Sequence, residues 1–290
     1  MTWRTIYISD HCHLSYKNNA LLIRTDDVQS VYLDEINTII LDSNAISLST
    51  YLMNELVKAK VKVIVCDEKH NPCFELVPYH VAYDSSRVIA KELSIDNSFN
   101  DQLWKQIIKF KIHYQATVLK KFNRDSSVKL DNYSLEVEIG DTTNREGHAA
   151  KVYFNSLFGI DFSRDQDCNI NAYLDYGYTI LLSMFNRELV NAGYITQIGI
   201  HHKGATNPYN LSCDLMEPFR PIIDGFAFMN QSIDFCKEQR IKLIELLNEK
   251  YKYQDKNMYF NQVVNLYVNN LMNGLLSKQL NDDWFIYGEL

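Results

Sequence analysis

Two short segments carry the side chains best suited to chemistry: Gly199-Ile200-His201-His202 and Asp214-Leu215-Met216-Glu217-Pro218-Phe219-Arg220-Pro221. They place an imidazole and two carboxylates close together in the chain. Residues three apart share a helix face, so a turn that begins at Asp214 sets Glu217 beside it. Nitrogen and carboxylate donors of this kind suit a divalent metal working on a phosphodiester. Mg²⁺ prefers oxygen ligands, and an imidazole shifts the preference toward Mn²⁺. One more ligand is needed, and the best upstream candidate is Glu146 in Asn144-Arg145-Glu146-Gly147-His148. A carboxylate-held cation neutralises the charge that develops when a phosphodiester breaks.

Each candidate also has a plainer reading. Glu146 could simply complement the dipole in the first turn of a helix. Adjacent histidines in an extended segment point to opposite sides, so only one of His201 and His202 enters a shared site. Asp214 and Glu217 could lie on a solvated helix face. Leu215, Met216, Pro218 and Phe219 around them argue instead for a half-buried position, where unpaired charge is costly. Arg220 could brace the acids or contact a phosphate. His148 faces away from Glu146 on a helix and is given no role.

The elements that must hold these residues change character along the chain. Residues 5–9, 13–17, 20–24 and 28–33 read as short strands, rich in β-branched and aromatic residues and separated by polar turns. Residues 36–41 and 61–66 are apolar runs of buried-strand length. Between them, 47–59 has helical spacing with Ser47 or Ser49 as the cap. After Pro78 helical periodicity takes over. Helices are expected over 98–124, 145–158, 171–191 and 209–229, with two more near 233–250 and 257–277. The expected fold is α+β and multidomain: a β-sandwich-like N-terminal domain with one helix (1–80), a linker (81–95) and an all-helical catalytic domain (96–290). The first domain holds no catalytic cluster and reads as a scaffold and dimerisation surface.

In the 98–124 helix, Trp104, Ile108, Ile112, Leu119 and Phe122 can share a buried side, with Lys105, Lys109 and Lys120 opposite. Lys105, Lys109, Lys111, Lys120, Lys121, Arg124 and Lys129 make 105–129 strongly basic, with Asp125 the one acid among them. Lys105, Lys109, Lys120, Lys121 and Arg124 are candidates for tracking a DNA backbone, which needs charge but no base readout. A solvated helix face is the alternative.

Bulk properties set outer limits. The 290 residues allow two ordinary domains, and 46% hydrophobic with 22% charged residues describes a globular chain. A net charge of −7 disfavours nucleic acid on average, though clustering decides that question. Six cysteines without CxxC spacing and no secretory leader lead to the expectation of reduced thiols in the cytoplasm. No run approaches a membrane span, and no P-loop, GxGxxG, GxSxG or HExxH motif is present.

Taken in order, the Glu146 segment, Gly-x-x-His at 199–202 and DLMEPFRP resemble the CRISPR-associated spacer-acquisition integrases, the first of the universal Cas proteins. Asn171-Ala172-Tyr173-Leu174-Asp175-Tyr176-Gly177-Tyr178 and Gly159 after Phe158 are also similar to that family. GIHHKGATNPYNLSCDLMEPFRP resembles its type II-A branch. The resemblance implies antiviral defence by a metal-dependent DNA endonuclease that joins the 3′-hydroxyl of captured double-stranded fragments to a CRISPR repeat. It implies Glu146, His202 and Glu217 as catalytic ligands of Mg²⁺ or Mn²⁺. Asp214 would be a second ligand or would orient one, and His201 stands where an apolar residue is usual. The implied partners are a second copy of the chain, the second universal adaptation protein and, in the type II-A branch, the effector nuclease with a ring-forming accessory protein. A nuclease or phosphohydrolase without joining activity and a non-catalytic DNA scaffold are the alternatives.

Overall fold

The computed structural model describes residues 2–78, 84–95 and 97–288. The expected domain end at 80, the first linker residues and the start at 96 lie outside the described residues. The N-terminal region builds two four-stranded sheets. In the first, β1 (Arg4–Ile8), β5 (Ile36–Leu41) and β7 (Lys62–Cys66) run parallel, and β8 (Pro72–Glu75) closes the edge antiparallel. The second, in the order β4-β3-β2-β6, uses β2 (Cys12–Lys17), β3 (Ala20–Arg24), β4 (Val28–Tyr32) and β6 (Ile46–Leu48). The embedded helix α1 (Thr50–Lys58) starts where Ser49 Oγ accepts the Leu52 N–H, satisfying one of the free donors of its first turn.

The first sheet is apolar on both faces because it separates two cores. Side chains alternate along a strand, so Ile39 and Val63 pack with Leu14, Leu21, Leu52 and Leu56, while neighbouring Ile40 and Ile64 pack into the helical core. This explains why β5 reads as an uninterrupted apolar run.

Nine further α-helices complete the described residues. After α2 (Ser85–Glu92) come α3 (Asn97–Lys121), α4 (Ser127–Leu135), α5 (Arg145–Phe158) and α6 (Asn169–Asn191). Then follow α7 (Asn210–Met216), α8 (Arg220–Asn230), α9 (Lys237–Leu246) and α10 (Phe260–Ser277). The division into a β-rich N-terminal region and a helical C-terminal region is as expected. Three details differ. Residues 209–229 are not one helix: a 3₁₀ turn at Glu217–Phe219 separates α7 from α8, and Pro218 and Pro221 lack the N–H that continuous helix requires. The helix α4 follows the basic stretch unexpectedly. A hairpin of β9 (Lys250–Tyr253) and β10 (Lys256–Tyr259) interrupts the otherwise helical region.

The two regions are tied by polar contacts. Buried Asp42 accepts a bond from Tyr7, lies 2.9 Å from His70 Nδ1 and pairs with Arg240 Nε at 3.4 Å. Arg187 on α6 donates to the Lys60 carbonyl at 3.0 and 3.2 Å, and Asn261 on α10 donates to the Trp3 carbonyl at 2.9 Å.

Candidate metal centre

Glu146 is placed by an unusually firm helix start. Asp141 accepts the backbone N–H groups of Arg145 (2.8 Å) and Glu146 (3.0 Å), and Asn144 Oδ1 accepts that of Gly147 (3.2 Å). With those donors satisfied, the first turn of α5 is pinned and the Glu146 side chain reaches toward α3. There Lys111 Nζ lies 2.6 Å from Glu146 Oε1 and 2.6 Å from Glu217 Oε2. Two carboxylates from distant parts of the chain therefore converge on one cationic nitrogen.

Glu217 is buried at the 3₁₀ turn, and its other oxygen takes Arg220 Nε at 3.0 Å. Burial pushes its carboxyl up, but the charges of Arg220 and Lys111 outweigh that and hold it below the ordinary carboxylate value. Burial likewise works against the Lys111 charge, and Glu217 and Glu146 more than restore it, so the ammonium is held more firmly than usual. Arg220 lies 4.5 Å over the Tyr178 ring, and Tyr178 in turn donates to buried Asp224, whose carboxyl burial pushes up to about 6.

The histidine pair occupies the turn before α7. Fully buried Asp214 accepts the backbone N–H groups of His201 (2.9 Å) and His202 (3.2 Å) and sits 2.5 Å from His202 Nδ1. A carboxylate can only accept, so Nδ1 carries the proton and Nε2 is the ring's free lone pair in the neutral form. The hydrogen bond that His202 donates to Asp214 leads the effects on the ring: it raises the imidazole against burial, and the charges of Asp214, Glu217 and Glu146 add to it. Those charges place both glutamates in electrostatic reach of the ring. Gly199 is required for this turn, since a Cβ there would lie 2.3 Å from the His202 carbonyl oxygen and 2.7 Å from Asp214 Oδ2. His201 turns elsewhere: its ring lies flat on Trp104.

The structure thus gathers Glu146 and Glu217 around Lys111, sets His202 within reach of both carboxylate charges and puts Asp214 behind the histidine. Among the described residues no three His, Cys, Asp or Glu side chains form a ready-made ligand set, and Lys111 bridges the two carboxylates. A divalent cation nonetheless fits the donors. Buried Glu217 Oε2 has its ion-pair contact with Lys111 but no hydrogen bond of acceptable geometry, and the donor set is oxygen, oxygen and imidazole nitrogen.

Sequence reasoning had put Lys111 only in a basic stretch. Its position was readable, since it falls seven residues after Trp104 and three after Ile108, on the buried stripe. Of the proposed DNA contacts, Lys109 pairs with Asp282 and Lys120 with Asp131, both at 2.7 Å. Arg124 covers the Phe228 ring, Lys121 is exposed and Lys105 half-buried. His148 is exposed.

Residues 6–240 match the family model for CRISPR associated protein Cas1. The chain belongs to the Cas1 family. A CRISPR-associated endonuclease Cas1 from Neisseria meningitidis serogroup C is 34% identical over 226 residues, covering 77% of this chain and 74% of that protein. Among solved structures, a casposase bound to integration product aligns with a TM-score of 0.78 at 20% identity, covering 98% of this chain and 93% of that one. A chain of a Cas6-RT-Cas1–Cas2 complex aligns at 0.74 with 19% identity, covering 99% of this chain and 36% of that one. At such identities the structural likeness speaks for the fold, and every element that carries the centre, from α3 to α8, lies within the span of the Cas1 family model. Among the described residues, no helix of this Cas1 chain is long and apolar enough to cross a membrane.

Proposed function

We propose that this chain is the metal-dependent integrase of CRISPR adaptation, an endonuclease-type transesterase that joins the 3′-hydroxyl of a captured fragment to a repeat. The observation that carries the reading is the convergence of Glu146 and Glu217 on one cationic position beside His202. Mg²⁺ or Mn²⁺ held by these three residues would polarise the phosphate and stabilise the leaving oxygen.

The remaining roles belong to the chain itself. Asp214 holds His202 by its Nδ1 proton, so the imidazole presents Nε2 in a fixed orientation. Arg220, supported by Tyr178, fixes Glu217 from the side away from Lys111. Lys111 balances the two carboxylates and must yield or share that place when a cation enters. No serine or tyrosine nucleophile is required, because the fragment's own hydroxyl attacks in line. The names of the Neisseria endonuclease and of the casposase support DNA as substrate, and the Cas1–Cas2 assembly supports a second adaptation protein as partner. We further propose a homodimer formed through the 1–80 domain, with 81–95 as linker and 96–290 as the catalytic domain. Lys105, Lys109, Lys120, Lys121 and Arg124 would track the DNA backbone. The type II effector and a ring-forming protein would join as in the II-A branch.

The test is strand transfer into supercoiled DNA carrying a repeat array, with the second adaptation protein, a labelled fragment and Mn²⁺. Label joined to plasmid by the wild type and not by Glu146→Gln is the expected result. Nicking without joining would replace the integrase with a nuclease. DNA binding without any metal-dependent reaction would leave only a scaffold.

A further inference from the structure

His201 is an exposed aromatic residue held in one place. Its ring is parallel to that of Trp104 (0° between planes, centroids 4.3 Å apart), and Trp104 is only 1% exposed. Its backbone N–H is tied to Asp214 Oδ2, the same carboxylate that orients His202. The His202 ring stands edge-on to both, 5.7 Å from Trp104 and 5.9 Å from His201. One face of the His201 imidazole is therefore covered by a fixed indole. His201 as a whole is exposed, which leaves its uncovered face for a ligand beside the candidate metal ligand His202.

A planar ring whose orientation is already set loses little freedom when a second ring settles on it. Nucleobases stack on such rings irrespective of sequence, because every base presents a π-face. The adjoining side chain suits a nucleic-acid strand: Lys203 follows in the same turn and is exposed.

We infer that the outer face of His201, backed by Trp104, is a stacking subsite for a nucleobase next to the phosphate positioned at the metal centre. The inference rests on the proposed DNA-joining function for its ligand. His201 is here a positioning residue for substrate, and it takes no part in bond making or breaking.

The experiment uses the full chain with its second adaptation protein and a branched DNA mimicking the joined product. A single abasic nucleotide is walked through the positions flanking the junction, and binding is measured for wild type, His201→Ala and His201→Phe. Loss of the stack is expected to weaken binding of intact DNA by roughly 10-fold in His201→Ala. His201→Phe should restore it, and at one abasic position the alanine variant and wild type should bind alike. Mn²⁺ affinity should be unchanged in both variants. An equal deficit at every abasic position, no rescue by phenylalanine, or loss of Mn²⁺ binding in His201→Ala would each overturn the subsite. If the wild type binds this DNA but never joins a fragment, the integrase reading fails while the abasic comparison still decides the stack.

Discussion

Two buried acid clusters in this chain are built from similar parts to opposite ends. At the seam between the N-terminal sheets and the helical region, Asp42 is fully enclosed and its partners Tyr7, His70 and Arg240 complete it. At the candidate metal centre, Glu146 keeps 26% of its side chain exposed and His202 43%. There Glu217 Oε2 has no hydrogen bond beyond its ion-pair contact with Lys111. A closed cluster locks two regions together. An open one, with converging acids and a spare acceptor, can take up a ligand. Burial alone does not separate the two cases; completeness of partnering does.

Substitutions can break or sharpen this contrast. The largest effect should come from the open cluster's carboxylates. Glu217→Gln or Glu146→Gln should lower strand transfer about 1,000-fold, as expected for several kcal/mol of lost charge stabilisation. The melting temperature of Glu146→Gln should change little in comparison, because Lys111 keeps Glu217, which thermal denaturation would check. At the seam the pattern should invert. Asp42→Ala leaves Arg240, with 10% of its side chain exposed, without its carboxylate partner and with only Tyr7 Oη to accept from its Nε. Removing one member of such a pair costs about 3 kcal/mol. Added Mn²⁺ should not recover that stability in denaturant titration, whereas it should recover stability lost in Lys111→Met.

A smaller effect is expected one layer out from the metal. Asp214→Asn should weaken Mn²⁺ binding roughly 10- to 100-fold, the usual range for a residue that orients a ligand, as isothermal titration would measure.

The smallest effect concerns neither cluster and serves as a control on burial itself. Glu92 accepts the Ile195 N–H at 3.1 Å, and burial raises its carboxyl from 4.5 to about 7. The folded chain then binds its proton more tightly than the unfolded chain, so stability falls as pH rises from 4.5 through 7. Glu92→Gln lacks that titration. It should gain on the wild type in melting temperature as pH is raised from 5 to 8, and lose that advantage on the acid side.

How much of this was legible depended on how local the cause was. The α5 helix was readable end to end, since a polar entry and an apolar period lie within one segment. The break between α7 and α8 was readable from Pro218 and Pro221, but the apolar period across 209–229 masked it. The β9–β10 hairpin had a signal in the alternating Lys250-Tyr251-Lys252-Tyr253 run, with Gln254 and Asp255 both at positive φ in the turn. Its flanking helices drew the assignment instead.

At the centre, the spacing within 199–217 brought His202, Asp214 and Glu217 together on paper. Nothing local linked them to Glu146; the family resemblance made that connection. Lys111 and Trp104 were hidden for another reason. Their roles come from the packing of α3 against α5 and the turn before α7: the helical period sets Lys111 on the buried side, but not which carboxylates it meets there.

The most direct measurement is electron paramagnetic resonance of Mn²⁺ titrated into the full chain, with electron spin-echo modulation to detect coordinated nitrogen. One tight site with coupling from a single imidazole is expected. It should be abolished in His202→Ala and Glu217→Gln and intact in His201→Ala. A stoichiometric site that survives His202→Ala, or no bound Mn²⁺ in the wild type, would contradict the metal centre and the function built on it.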